Sequence, residues 1–254
     1  MTRIFAAFIL SFTFALPVAA MVGGASVGGP ASQATVLIVG SRGNSCTGTA
    51  IARDLVLTAA HCVFPGADYK LVEYDAHRQP ILRNVTNVAR HPQFELQALL
   101  GHRATADVAL LKLAAPLIIG SPATLMSGTF KVVPGDVFTV AGMGVTVHGD
   151  GKSGGVARSA ILTTTGQPGT LQIRLHDPKT RGESAGLGAC TGDSGAPVFQ
   201  ENSGRLVVIG VVSWSTGAKN EAGCGGLTGV TPLVRYRDWI LETARKFGSP
   251  IAPY

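Results

Sequence analysis

Three short stretches, far apart in the chain, carry residue types that can do covalent chemistry together. The first is Leu57-Thr58-Ala59-Ala60-His61-Cys62. It sets an imidazole, a group that can take and return a proton near neutrality, directly before a cysteine that could hold the ring in one position. The second is Asp107-Val108-Ala109-Leu110-Leu111-Lys112-Leu113. Here a carboxylate opens a strongly apolar segment, where burial is costly unless a partner hydrogen-bonds the charge. The third is Gly188-Ala189-Cys190-Thr191-Gly192-Asp193-Ser194-Gly195-Ala196-Pro197. It places a serine on a glycine-lined turn, where backbone can approach a ligand closely and aim amides at it. Each stretch alone also has an ordinary structural explanation as a strand end or a tight turn.

The elements that must position these residues are short strands. Apolar or alternating runs recur at Ala34 to Val39, Leu55 to Thr58, Val108 to Leu113, Val137 to Ala141, Leu171 to Leu175, Val198 to Gln200 and Leu206 to Trp214. Glycine-rich breaks separate them, the pattern of an antiparallel sandwich or barrel. Near the end Tyr236, Trp239, Ile240 and Ala244 fall at helical spacing and predict one terminal helix. The stretch from Ala114 to Gly128 reads as the crossover between two halves.

Composition agrees. With 46% hydrophobic and only 14% charged residues among 254, the chain can bury a large core, which excludes a disordered protein. The formal charge of +6 is scattered without a basic cluster, which argues against a nucleic-acid partner. Residues 1–20 put Arg3 before an apolar run that ends in Pro17 and Val18-Ala19-Ala20, a secretory signal with its cut after Ala20. The run is too short to span a membrane, and no later segment is long enough. Export implies an oxidising compartment, so Cys46, Cys62, Cys190 and Cys224 read as two disulfides, with all three pairings open. No paired ligand spacing suggests zinc, and Asp68 to Asp75 lacks the spacing of a calcium loop. Neither a metal nor another cofactor is expected.

Together Thr58-Ala59-Ala60-His61-Cys62, Asp107-Val108-Ala109-Leu110-Leu111 and Gly192-Asp193-Ser194-Gly195 resemble the chymotrypsin-like (trypsin-like) serine peptidases. The chain order His, Asp, Ser is that of this family, not of subtilisins or α/β-hydrolases. The resemblance spans essentially the whole chain after residue 20 and implies an all-β fold of two packed antiparallel six-stranded β-barrels with a C-terminal α-helix. The domains expected are a signal peptide at 1–20, an N-terminal barrel at 21–120 bearing His61 and Asp107, and a C-terminal barrel at 121–254 bearing Ser194 and the helix.

The resemblance also implies roles. Ser194 is the nucleophile, His61 its general base and Asp107 the residue that fixes the imidazole tautomer, while the amides of Gly192 and Ser194 form the oxyanion hole. The implied bridges are Cys46 with Cys62 and Cys190 with Cys224, a small set that points to a minimal bacterial-type member. Met21-Val22-Gly23-Gly24 resembles the family's mature amino terminus, whose new α-amino group pairs with the aspartate before the nucleophile, here Asp193. Since Ala20 precedes Met21, one cut would both export and activate the enzyme.

Substrate selection falls to Gly188, six residues before Ser194, with Ser213, Trp214 and Ser215 on the lining strand and Gly229 opposite. Gly188 offers no charge for Lys or Arg, so a neutral pocket for small or medium apolar side chains is implied. His77, His91, His102, His148 and His176 are expected to be surface or structural. The expected protein is a secreted or periplasmic monomer whose partners are protein or peptide substrates and a protein inhibitor. The alternatives are a catalytically silent binding member of the same fold and an esterase.

Overall fold

A computed structural model describes residues 21–251 apart from 24, 76, 78, 119–120, 129–130 and 167–170. The signal expected at 1–20 lies outside the described residues. In chain order the strands are β1 (Ser26–Val27), β2 (Thr35–Gly40), β3 (Ser45–Ala52), β4 (Leu55–Thr58), β5 (Tyr69–Tyr74), β6 (Pro80–Arg90) and β7 (Ala109–Leu113). There follow β8 (Thr124–Leu125), β9 (Val137–Gly142), β10 (Arg158–Thr164), β11 (Ile173–His176), β12 (Pro197–Asn202), β13 (Arg205–Ser215) and β14 (Thr228–Pro232). A short helix α1 (Leu96–Leu100) precedes β7, and α2 (Arg237–Lys246) ends the fold.

The strands close two antiparallel six-stranded barrels, the architecture the sequence resemblance implies. The first runs β2-β3-β4-β7-β6-β5. The second runs β10-β11-β14-β13-β12-β9 and closes through β9 on β10, with β1 added to β10 and β8 laid parallel on β13. The first residues of the described chain therefore belong to the second barrel: Met21 and Ala25 sit in its core beside Phe138, Leu162 and Ile209.

Strand alternation explains how both sides of key strands are buried. On β7, Leu111 points into the first barrel with Ile38, Val56 and Leu71, whereas Leu110 points the other way into a cluster between the barrels. On β13, Val207 and Ile209 face the second core while Val208 faces that shared cluster. Ile240 and Ala244 of α2 join it with Leu55 and Leu57, so the C-terminal helix packs back against the first barrel. A fully buried Leu or Ile contributes about 1.5–3 kcal/mol, which makes this shared layer a firm seam between the halves. The chain beyond α2 is latched as well, because Ser249 Oγ donates to Asp54 Oδ1 at 2.6 Å and Lys112 reaches both groups at 2.5 Å.

Candidate active site

The three chemical stretches meet at the seam. His61 lies in a short 3-10 turn just after β4, its ring against the Cys46–Cys62 disulfide. Asp107 is fully buried just before β7. β4 and β7 are hydrogen-bonded neighbours, which brings the two residues together. His61 donates its backbone N–H to Asp107 Oδ1 at 2.9 Å, and its Nδ1 lies 2.8 Å from Oδ2. Ser213 Oγ, arriving from β13, donates to the same Oδ2 at 2.5 Å. The buried charge thus has three donors, which offset its desolvation.

Ser194 sits on a tight turn between Cys190 and Ala196. Asp193 N–H donates to Cys190 O, Ala196 N–H to Asp193 O, and Gly195 N–H to Val212 O. Gly192 and Gly195 have φ of 90° and 80°, the left-handed region that favours glycine. At Gly195 a Cβ would stand 2.1 Å from Thr58 Oγ1 and 2.3 Å from Thr47 O, so space as well as torsion demands glycine. Among the described residues, no group of the chain accepts from the N–H of Gly192 or of Ser194. Donors left free on a rigid turn are suited to an oxyanion.

Ser194, Gly192 and His61 line one cavity of about 640 Å³. Among the described residues, Ser194 Oγ and His61 Nε2 make no hydrogen bond to one another; such bonds are frequently long in apo structures and tighten with substrate. Cys46, His61 and Cys62 cluster closely enough to suggest a metal site, but both sulfurs are committed to the disulfide. The second bridge joins Cys190 to Cys224.

Asp193 is wholly buried, with Oδ1 accepting from Gly144 N–H at 2.8 Å and Oδ2 from Cys190 N–H at 2.9 Å. Burial raises its pKa to about 7, against the lowering effect of those two donors. Gly142 and Gly144 leave room for the carboxylate, since a Cβ at either would lie within 2.7 Å of an Asp193 atom. Met21 is fully buried, and Val22 bridges to Gly188.

The residues expected to bind substrate divide. Ser215 lines the cavity. Ser213 is occupied with Asp107. Gly188 is buried, and a Cβ there would stand 3.0 Å from Gly225 Cα, so it backs onto backbone. Gly229 lies under Trp214, whose indole would be 2.0 Å from a Cβ at that position. Trp214 itself stacks on His102, with ring centroids 4.5 Å apart and planes 12° apart.

Further residues at the site carry no chemical signature in the sequence. His102 and His148, expected to be surface or structural, both line the cavity. So do Asn220, Glu221, Ala222 and Gly223 from the loop between β13 and β14. Thr47, on β3, donates its hydroxyl to Gly192 O at 2.8 Å. Only long-range folding joins these residues to Ser194, and no local motif marks them.

Comparison with known proteins agrees with the fold. The trypsin family profile matches residues 21–240. The chain is 31% identical over 224 residues to the vitellin-degrading protease of Bombyx mori, covering 83% of this chain and 79% of that one. It is 30% identical over 225 residues to transmembrane protease serine 9 of Rattus norvegicus, covering 82% of this chain but only 20% of the rat protein. Among the described residues no helix is long and apolar enough to cross a membrane. With two closed six-stranded barrels and a match that runs from the first described residue into the terminal helix, the chain belongs to the trypsin family of serine proteases.

Proposed function

We propose that the protein is a secreted serine endopeptidase that cleaves peptide bonds through an acyl-enzyme on Ser194. The observation that carries this reading is the hydrogen-bonded line Ser213–Asp107–His61, which ends on the same cavity wall as Ser194 and the free N–H groups of Gly192 and Ser194. His61 Nε2 takes the hydroxyl proton as Ser194 Oγ attacks the substrate carbonyl carbon. The tetrahedral oxyanion is held by the two amides, an interaction of about 3–4 kcal/mol per donor in related chemistry. His61 then passes the proton to the leaving amine, and water repeats the sequence to release the acid. Asp107 keeps Nδ1 protonated and stabilises the imidazolium.

Gly188 brings no charge to the base of the primary pocket. The signal at 1–20 delivers the chain to the periplasm or the exterior, and cleavage after Ala20 frees the Met21 amine to pair with Asp193. The domain reading is an N-terminal unit at 21–120 that supplies base and orienter and a C-terminal unit at 121–254 that supplies the nucleophile, with Met21, Ala25 and β1 of the first packed on the barrel of the second.

The test is digestion of an unfolded protein by the chain beginning at Met21, with fragments read by mass spectrometry. Internal cleavage that disappears in Ser194→Ala is expected. Hydrolysis of small esters without peptide cleavage would favour an esterase. No turnover of either would favour a silent binding member.

A further inference from the structure

In Cys46, His61 and Cys62 three donor atoms lie within 4.8 Å of one another, and Cys62 Sγ is 4.0 Å from His61 Nε2. Two donors on one tetrahedral zinc stand about 3.5–3.8 Å apart, so modest side-chain rotation closes the difference. While the bridge is intact neither sulfur can ligate. The imidazole is already oriented for a metal: Nδ1 lies 2.8 Å from Asp107 Oδ2, the carboxylate–histidine pairing that fixes a zinc-bound ring, and Nε2 is left on the side of the sulfur. The backbone that carries the three groups is held by bonds other than the bridge. Cys46 pairs with Ile38 of β2, Cys62 N–H donates to Ala59 O at 3.2 Å, and Asn44 Nδ2 donates to Cys62 O at 2.9 Å. Cys46 is also a lining residue of the cavity of about 640 Å³ that holds Ser194 and His61, a route for a small dithiol.

We propose that reduction of the Cys46–Cys62 bridge turns this corner into a zinc site of two thiolates and one imidazole, and that zinc bound there switches the enzyme off. The site rests on the three donors alone; its effect on turnover rests on the peptidase reading above. One thiolate of the dithiol attacks a sulfur of the bridge, the S–S bond breaks, and its electron pair leaves on the other cysteine. The second thiolate then resolves the mixed disulfide, so the dithiol is oxidised to a disulfide and its two protons pass to Cys46 and Cys62. Zinc displaces those two protons and binds both sulfurs and Nε2, with a fourth position open to water. Nε2 cannot take the Ser194 proton while it holds the metal. Turnover is thereby tied to an oxidising compartment, where the bridge persists.

The experiment reduces the chain beginning at Met21 with a dithiol, removes the reagent under argon, and titrates with cobalt(II) and then zinc. The reduced wild type is expected to show a thiolate-to-cobalt charge-transfer band and the strong visible bands of tetrahedral cobalt, saturating at a single metal and displaced by zinc, whereas the oxidised chain shows neither. The double variant Cys46→Ala/Cys62→Ala, reduced alike, keeps Cys190 and Cys224 and should lack these bands, which separates the site from the second bridge. His61→Ala should weaken zinc binding by more than about tenfold and Asp107→Asn by about ten- to a hundredfold. Fluorophosphonate labelling of the reduced wild type should stop with zinc and return with a chelator. Absence of the bands in the reduced wild type, their persistence in the double variant, or unchanged zinc affinity in His61→Ala would overturn the site. So would a circular dichroism spectrum that loses its strands on reduction and does not regain them with zinc. Labelling undiminished by bound zinc would overturn the switch. The expected bands in a chain that is never labelled, oxidised or reduced, would uphold the site and overturn the peptidase reading instead.

Discussion

Thr47, on β3 of the first barrel, donates its backbone N–H to the carbonyl oxygen of Ser194 at 2.9 Å. Its hydroxyl donates to Gly192 O at 2.8 Å and accepts from Met143 N–H at 3.0 Å. A single residue of one barrel therefore grips the nucleophile turn of the other at two points, and also the segment that shelters Asp193. The orientation of the Gly192 and Ser194 amides depends on this grip.

Thr47→Val keeps the shape and removes the hydroxyl, leaving the buried Met143 N–H and Gly192 carbonyl without that partner. We expect a loss of about 1–3 kcal/mol in stability. We also expect a fall of about tenfold in kcat with less change in KM, because the donors that respond to the transition state are misplaced. Denaturation curves and steady-state kinetics check both, and Thr47→Ser should restore most of kcat.

Asp107→Asn should lower kcat by about 10⁴ at neutral pH, since the amide favours the wrong imidazole tautomer. Ser213→Ala removes one of three donors to the same carboxylate and should cost about ten- to a hundredfold, the range of a hydrogen bond to a charged group. A Ser213→Ala enzyme with unchanged kcat would show that the contact is only structural.

Two glycines with nearly the same torsion separate strain from collision. Gly195 (φ 80°) has backbone and Thr58 within 3 Å of a Cβ, while Gly204 (φ 77°) has nothing within 4 Å. Gly204→Ala should cost about 1–2 kcal/mol from torsion alone. Gly195→Ala should cost more than about 4 kcal/mol and abolish activity. Thermal unfolding of the two variants gives the comparison.

On the proposed pairing of Met21 with Asp193, the pH dependence of stability should change on amino-terminal cleavage. In the chain that still carries residues 1–20, burial raises this carboxyl from 3.8 to about 7. Between those values the folded chain holds a proton that the unfolded chain has released, so this contribution to stability falls as pH rises through the window. Once the Met21 amine pairs with Asp193, the carboxylate is favoured and the amine pKa is raised. Its contribution is then full below about 8 and lost as pH climbs through the folded value. Urea midpoints measured from pH 4 to 10 on both forms should show the loss moving to alkaline pH, and amino-terminal sequencing of the exported protein should begin at Met21.

The strands legible in the sequence are runs of large apolar side chains, such as β7 and β13. β6 was not among them: from Pro80 to Arg90 none of its residues is fully buried, so its hydrophobic pattern is weak and its pairing with β5 and β7 holds it in place. β3 is not legible because Ser45–Ala52 is small residues apart from Ile51, including Gly48, where a Cβ would meet Val56 at 2.6 Å. β14 hides behind a glycine and a terminal proline. At the candidate site, residues carried by local motifs were visible: His61, Asp107 and Ser194. Thr47, His102 and Glu221 were not, because each comes to the site from a different part of the chain, Thr47 at the nucleophile turn and the other two at the cavity, and has no chemical signature in its own segment. The strand register sets Gly229 opposite Trp214.

Activation of Ser194 as a nucleophile by His61 is open to a direct test by covalent labelling. Protein beginning at Met21, with both disulfides formed, is exposed to a fluorophosphonate and its mass is read intact and after digestion. One adduct is expected, located on Ser194, absent in Ser194→Ala and strongly slowed in His61→Ala. No adduct on the wild type, or an adduct that persists in Ser194→Ala, would contradict it.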